Sequence, residues 1–288
     1  MHRPVLPPEI VDAIIDQVNA TGPETKVPDD ESYFERRTAL GACARTARSW
    51  LPRSRFYLFS VVHLPPNDFD RCKAFSTLLS DEHCTILPHV RTLIVREAYS
   101  FTGMGVLWFN DALPTLSSLR NVRILAIFGA RFDRMRPEDW SNAGVPFFAH
   151  LKSVVDLHLT ACQFRCPDQC LEALAVCESL ENLVVRRTSL DMDVLLTVDL
   201  RREPRPPPPR RLSSLSLDSH RMGNYDALLK WIGQTPEQTP HIRQLVFERV
   251  TDMEAPSIAQ FLQQLGPSLE SLELTVVDAS DETDTQGN

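Results

Sequence analysis

A short pattern of apolar residues recurs eight times between residues 59 and 274 of the 288-residue chain. Each copy has apolar side chains at its first, fourth and sixth positions, as in VRTLIV at 90–95 and VRILAI at 122–127. Alternation of this kind predicts a strand with one buried face. Even spacing of the copies predicts an α/β fold in which strand-plus-helix units stack side by side. The fourth positions, 26 to 32 residues apart, are Val62, Leu93, Leu125, Leu157, Leu183, Leu215, Leu245 and Leu272.

Residues 154–164, VVDLHLTACQF, resemble the signature of leucine-rich repeats. Cys162 takes the position of the polar ladder residue in that signature, and Phe164 takes the apolar position that follows. The resemblance implies that residues 59–278 form a leucine-rich-repeat-like solenoid of parallel strands with outer helices. Most spacings exceed the ~20–29 residues of standard leucine-rich units, so an irregular array with longer helices or loops is expected.

The segments between the predicted strands carry apolar stripes with helical spacing. Helices are predicted at 69–79, 167–177, 225–232 and 257–265. REPRPPPPRR at 202–211 predicts a stiff, exposed loop instead, because proline fixes the backbone and lacks an N–H donor. Residues 279–288 are polar and acidic, and they are predicted to form a disordered tail.

One face of the predicted sheet is a candidate binding surface. The repeated leucines point to the core, so the residues between them are expected to form an exposed face. This face is apolar in its early strands, with Ile94 and Ala126, and mixed in charge in the later ones. Solenoids commonly bind partners on such a surface, so a target protein is expected there. The candidate target-binding residues are Arg96, Phe128, Asp156, His158, Arg186, Asp218 and Glu248.

Two segments with helical spacing precede the repeats. The first begins at the paired prolines Pro7 and Pro8 and continues with aliphatic residues at three- and four-residue steps. Residues of about 19–33 are polar and are predicted to be a flexible insertion. A second helix is predicted from about Phe34 to Leu51, where Pro52 ends the pattern and SRFYLF leads to the first strand. A helical domain at 1–58 can bury little by itself, so part of its apolar surface needs cover from this chain or from another protein.

LPPEIVDAII at 6–15, followed by ACARTARSWLPRSRFYLFSVVHL at 42–64, resembles the F-box motif. The resemblance is strongest to the F-box-like proteins of mushroom-forming fungi. In that family, the leucine–proline start and the first helix bind the Skp-type adaptor of cullin–RING ubiquitin ligases, and a cysteine–tryptophan helix completes the unit. The resemblance implies that the Skp-binding residues are Leu6, Pro7, Ile10 and Ile14. It implies that the F-box core contains Ile15, Val18, Leu40, Cys43 and Trp50.

The resemblance implies a non-catalytic protein, the substrate-recognition adaptor of a Skp–cullin–F-box (SCF) ubiquitin ligase. Its N-terminal helices would bind the Skp-type adaptor and through it a cullin, while the repeat face would bind a target protein. The alternative is a leucine-rich-repeat interaction scaffold unconnected to ubiquitin transfer, in which the same helices cap the end of the array.

Charge and composition restrict the classes of partner that the protein is expected to bind. The chain has 30 basic and 38 acidic residues, and a net charge of −8 argues against a nucleic-acid binder or a protein that binds anionic membranes. No stretch of about 18 apolar residues is free of charge, so no membrane span is expected. Seven scattered cysteines indicate reduced thiols. An intracellular protein is therefore predicted, cytoplasmic and/or nuclear and not secreted.

No motif indicates catalysis. The glycines form no phosphate-binding loop, and the chain has no G-x-S-x-G element. His158 could act as a base only if a partner oriented it. The arginines around the proline run could receive a phosphorylated partner or merely solvate a loop. No catalytic residue and no cofactor are therefore predicted. No metal site is predicted either, because the paired spacing of zinc ligands is missing from Cys162, Cys166, Cys170, Cys177, His150 and His158.

Overall fold

The computed structural model describes residues 6–20, 30–66, 68–97, 108–190, 206–218, 225–234, 240–252 and 254–276. Its centre is an eight-stranded sheet in which every strand is parallel to its neighbours and the strands follow chain order. The protein therefore has an α/β fold. The strands are β1 (Val61–Leu64), β2 (Thr92–Arg96), β3 (Ile124–Phe128), β4 (Asp156–Thr160), β5 (Asn182–Arg186), β6 (Ser214–Asp218), β7 (Gln244–Val250) and β8 (Ser271–Val276).

The repeated apolar positions lie in one row across the sheet. Val62 pairs with Leu93, Leu93 with Leu125, and the same register continues to the pair of Leu245 and Leu272. Seven of the eight row residues are buried, and only Leu272 on β8 is exposed. The predicted positions of all eight strands are thus confirmed.

Helices connect many of the strands. The helices predicted at 69–79, 167–177, 225–232 and 257–265 are confirmed, whereas those between β2 and β4 were not predicted. The helices are α1 (Pro8–Ala20), α2 (Asp30–Thr46), α3 (Leu51–Ser60), α4 (Phe69–Leu79), α5 (Trp108–Leu116), α6 (Pro137–Asp139), α7 (Val145–His150), α8 (Pro167–Ala175), α9 (Asp226–Ile232) and α10 (Ala255–Leu265). A π-helical segment at Trp140–Gly144 links α6 to α7, and 3₁₀ turns occur at Arg48–Trp50, Leu87–His89, Phe132–Arg134 and Gly266–Ser268.

The main core lies between one face of the sheet and the connecting helices. An aromatic cluster within it surrounds Phe132, which is fully buried. The Phe132 ring stacks on Phe164 with the centroids 4.9 Å apart. Three more rings lie within 6.1 Å of it, and these belong to Phe109, Trp140 and Phe148.

A left-handed backbone residue recurs at the same place in several of the units, after β3, β4 and β5 and inside β7. It is the fourth residue after the row position, and the residue after it turns into the core. These residues are Gly129, Ala161, Arg187 and Arg249, with φ of 75°, 53°, 49° and 57°. Buried residues follow each of them, namely Ala130, Cys162, Thr188 and Val250.

Cys162 takes part in hydrogen bonds between successive units. Its N–H donates to Thr188 Oγ1 at 3.3 Å, and its thiol donates to the carbonyl of Ile127 at 3.4 Å. Thr188 Oγ1 in turn donates to the carbonyl of Leu159 at 3.2 Å. Cys162 and Thr188 therefore link the units of β3, β4 and β5 through hydrogen bonds.

The N-terminal helices differ from the prediction in two ways. Pro52 does not end the helical region, since it lies in the first turn of α3, where a missing N–H costs nothing. The helix α3 continues to Ser60, past the predicted boundary at residue 58. Residues 30–33, predicted within a flexible insertion, already belong to α2, and residues 21–29 lie outside the described part of the chain.

The proline-rich segment is less exposed than predicted. Pro208 and Pro209 are buried, because the apolar proline rings can pack like other side chains. The indole N–H of Trp231 on α9 donates to the carbonyl of Pro206 at 2.7 Å and fixes the segment against the helix. Arg210 and Arg211 remain exposed. Residues 201–205 and the predicted tail at 279–288 lie outside the described residues.

Candidate functional site

The helix α1 has two adjacent apolar rows, and only one of them is covered. Val11 and Ile15 point into the helical unit and are buried. Leu6 before the helix, with Ile10 and Ile14 on it, forms a second row in steps of four residues. These three side chains are 48%, 49% and 38% exposed. We call them the α1 ridge; it is an apolar surface available to another molecule.

The predicted F-box core residues come together in one cluster. Ile15 and Leu40 are buried in it with Val11, and Tyr57 and Leu58 of α3 pack against them. Val18, Cys43 and Trp50 are partly buried in the same cluster. This cluster is separate from the main core of the sheet.

An ion pair holds α1 against α3. The Arg53 guanidinium donates to both carboxylate oxygens of Asp16 at 2.8 Å, and the Tyr57 hydroxyl donates to Asp16 at 2.9 Å. The hydrogen bond from Arg53 lowers the pKa of Asp16 below its ordinary value. The α1 ridge is therefore carried by a helix whose position is fixed from its opposite side.

The predicted target-binding face is only partly exposed. Asp156 and Asp218 were predicted to be exposed and are buried, at 8% and 2% exposure. Asp156 accepts a hydrogen bond from the Asn182 amide on the next strand. Asp218 is bound by the guanidinium of Arg249, with Nε 2.8 Å from Oδ1. Asp218 is covered because the longer Arg249 side chain on the adjacent parallel strand, which lies ~4.8 Å away, reaches over it.

The early strands of this face also depart from the prediction. Ile94 and Ala126, predicted on the exposed face, are buried together with His63 in the same row. The Tyr33 ring of α2 contacts the His63 ring at 5.4 Å, so the N-terminal helices lie near this end of the sheet.

The remaining candidates lie on the same face of the sheet and are spread over strands β2 to β7. Arg96 stacks on Phe128, with the guanidinium 4.4 Å from the ring centroid. Arg186 and Glu248 form an ion pair at 2.6 Å across the strand between them. His158 is half-buried on β4. These five side chains form a mixed aromatic and charged surface suited to a protein partner.

The cysteines behave as packing groups. All seven are free thiols, and Cys72, Cys162, Cys170 and Cys177 are buried. Burial raises the pKa of Cys162 and Cys177 to about 12, which keeps both thiols protonated. Within the described part of the chain, no group of three or more His, Cys, Asp or Glu side chains could hold a metal ion.

Glu97 is a buried carboxyl group that sequence reasoning missed. It accepts hydrogen bonds from the backbone N–H groups of Phe109 at 3.1 Å and Arg131 at 3.3 Å. Burial nevertheless raises the pKa of Glu97 to about 7. The only sequence signal was its position, since Glu97 stands where later repeats have a left-handed residue. Its two acceptor bonds join β2 to the following connections, which indicates a structural role.

We expect Glu97 to make stability depend on pH. The folded state keeps its proton up to about pH 7, whereas an unfolded glutamate loses it near 4.5. Stability from this group is therefore full below pH 4.5 and falls by about 3 kcal/mol as pH rises to 7. Urea unfolding of the wild type and of Glu97→Gln should show a stability difference that changes across this range. Glu178→Gln, at an exposed position, is the control. If the difference in free energy of unfolding from the wild type is independent of pH for both variants, the prediction is wrong.

No described helix has the length and apolar character needed to cross a membrane. No protein-family model matches the chain, and no curated protein matches it with significance. The candidate site therefore depends on the geometry of the α1 ridge and of the sheet face.

Proposed function

We propose that the protein is the substrate-recognition adaptor of an SCF-type ubiquitin ligase. The F-box-like helices α1–α3 bind a Skp-type adaptor and through it a cullin. The strands and their helices act as an irregular leucine-rich-repeat-like solenoid that binds a target protein. The observation that carries the proposal is the exposure of Leu6, Ile10 and Ile14 beside the buried Val11 and Ile15. The proposal implies an intracellular protein, cytoplasmic and/or nuclear.

The α1 ridge supports docking on energetic grounds. Fully burying one such side chain is worth roughly 1.5–3 kcal/mol. Leu6 and Ile10 are already about half covered, so the contribution left for a partner is roughly half of that, or about four- to tenfold in affinity for each side chain. A contiguous exposed apolar row of this kind is typical of a protein-binding surface.

The sheet face supports the second half of the proposal. Arg96, Phe128, His158, Arg186 and Glu248 combine an aromatic ring with both signs of charge. Such a surface can select a partner by charge complementarity. The adaptor itself needs no catalytic group, because holding a target near a conjugating enzyme raises the effective concentration of its lysines.

The test is capture of a Skp-type adaptor by the full chain. We expect the wild type to co-purify with the adaptor when the two are co-expressed. The double variant Leu6→Asp/Ile10→Asp should bind at least a hundredfold more weakly, because it places two charges in the apolar contact. Phe69→Asp on α4 is the matched control, since Phe69 is an apolar side chain with similar exposure of 47%. Equal capture of the double variant and the control would reject the proposed docking surface.

A scaffold outside any ligase is the second candidate, and one observation favours it. The Tyr33 and Phe34 rings of α2 have their centroids 5.4 Å and 6.3 Å from that of the His63 ring on β1. The helices therefore pack on the first strand as an end cap would. This candidate predicts that neither the wild type nor the double variant captures a Skp-type adaptor.

A further inference from the structure

The last strand leaves an apolar row open at the end of the sheet. Leu272, Leu274 and Val276 of β8 are 46%, 44% and 59% exposed, and every residue of the strand is exposed. Their register partners on β7 are buried core residues. The row thus continues the apolar row of the core, but its side chains are exposed whereas those at the same positions on the earlier strands are buried.

The strand also lacks the devices that protect a sheet edge. The sequence of β8, SLELTV, contains no lysine and no proline, although both are common on exposed edges. Its one charged residue, Glu273, alternates with the row and so lies on the opposite face. The neighbouring helix α10, APSIAQFLQQL, carries no charged side chain at all. Charge is usually depleted at the centre of protein interfaces, and this end of the molecule meets that description.

The sequence of β8 limits what can cover it. The twelve residues that follow, VDASDETDTQGN, contain two apolar residues and no alternating row, so they do not match the strand. A second β8 does match it, because it brings an identical apolar row on the same face when the two strands run antiparallel.

We propose that two copies of this chain pair through β8 about a two-fold axis at Leu274. In this register Leu274 faces Leu274 of the second copy, and Leu272 faces Val276 in both directions. On the opposite face, Glu273 faces Thr275, so no like charges meet. The pair of strands would join the two sheets into one and enclose both apolar rows.

Other antiparallel registers fit less well. A shift of one residue puts apolar side chains of one copy opposite the polar face of the other. An axis at Glu273 places the two Glu273 carboxylates directly opposite each other, which is destabilising. An axis at Thr275 leaves Leu272 opposite Asp278. The register about Leu274 is therefore the one that the charges and the apolar residues both support.

Sedimentation velocity of the full chain over a range of concentrations tests the pairing. A six-residue strand pair is a small interface, so we expect a dissociation constant of roughly micromolar order. Thr275→Glu places two like-charge contacts in each dimer and should raise the dissociation constant about tenfold, whereas Thr275→Lys should lower it about as much. Ser141→Glu, an exposed substitution in the π-helical segment, is the charge-matched control and should leave the constant unchanged.

Two results would overturn the pairing. A wild type that stays monomeric up to several hundred micromolar would show that a second copy does not cover β8. A dimer whose dissociation constant is the same in Thr275→Glu, Thr275→Lys and Ser141→Glu would show that the copies associate through a different surface. Circular dichroism of each variant checks that the fold is retained. Capture of a Skp-type adaptor depends on the α1 ridge, so either proposal can fail while the other holds.

Discussion

Replacing Phe132 with alanine is expected to lower the free energy of unfolding by about 3–5 kcal/mol. The ring is fully buried and contacts four other aromatic rings, of which Phe164 is stacked and Phe109 and Trp140 are edge-on. Its removal eliminates these contacts and leaves a cavity, because neighbours fixed on separate strands and helices can close only part of the space. No other site in the described core joins so many rings from different connections.

Chemical denaturation of the two purified proteins measures this loss as a shift in midpoint at constant slope. Phe69→Ala provides the same exchange at an exposed position and should stay within about 0.5 kcal/mol of the wild type. A loss below 1 kcal/mol for Phe132→Ala would mean that the aromatic cluster does not hold the connections together.

The strands could be predicted from the sequence because each one repeats the same alternation. The apolar position at the centre of a strand must point to the core whatever connects it to the next strand. Eight such positions at similar spacing therefore predicted where the strands lie, and the structure shows that these positions form one row across parallel strands from Val62 to Leu272. The exposure of Leu272 could not be predicted in the same way, since its pattern is identical to that of the buried members.

The helices between β2 and β4 escaped prediction for a local reason. The helix α5 contains Pro114, and Pro137 and Pro146 lie in the first turns of the short helices α6 and α7. When proline is treated as a helix breaker, such segments are not predicted as helices, although proline is tolerated in a first turn. Pro52 hid the start of α3 in the same way.

The sequence predicted which residues belong to the candidate site better than it predicted which of them are exposed. The apolar residues of α1 were evident, but their division into Val11 and Ile15 inside and the α1 ridge outside depends on where α2 and α3 pack. On the sheet face, alternation alone predicted that Asp156 and Asp218 are exposed. A strand pattern gives the direction of a side chain, whereas its burial also depends on the neighbours that reach over it.

The ion pair between Asp218 and Arg249 shows how the backbone decides such burial. Arg249 has a left-handed backbone with φ of 57°, at a register shift in the pairing of β7 with β8. This turn directs the guanidinium towards β6, where both its Nε and a terminal nitrogen contact the carboxylate of Asp218. Left-handed residues other than glycine are uncommon, and nothing in FERV marks Arg249 as one in the sequence.

We expect Arg249→Met to lower the free energy of unfolding by about 3–5 kcal/mol, because it leaves the Asp218 carboxylate buried without its guanidinium. The double variant Asp218→Asn/Arg249→Met should lose less than Arg249→Met alone, since the buried negative charge of Asp218 is gone. Arg186→Met, which breaks the more exposed pair with Glu248, is the matched control and should cost about 1 kcal/mol or less. Urea titrations of the three variants at pH 7 measure these differences. Removing a guanidinium costs more stability when its carboxylate partner is shielded from water. Equal losses of free energy of unfolding in Arg249→Met and Arg186→Met would therefore contradict the prediction, because they would mean that the burial of Asp218 does not strengthen its pairing.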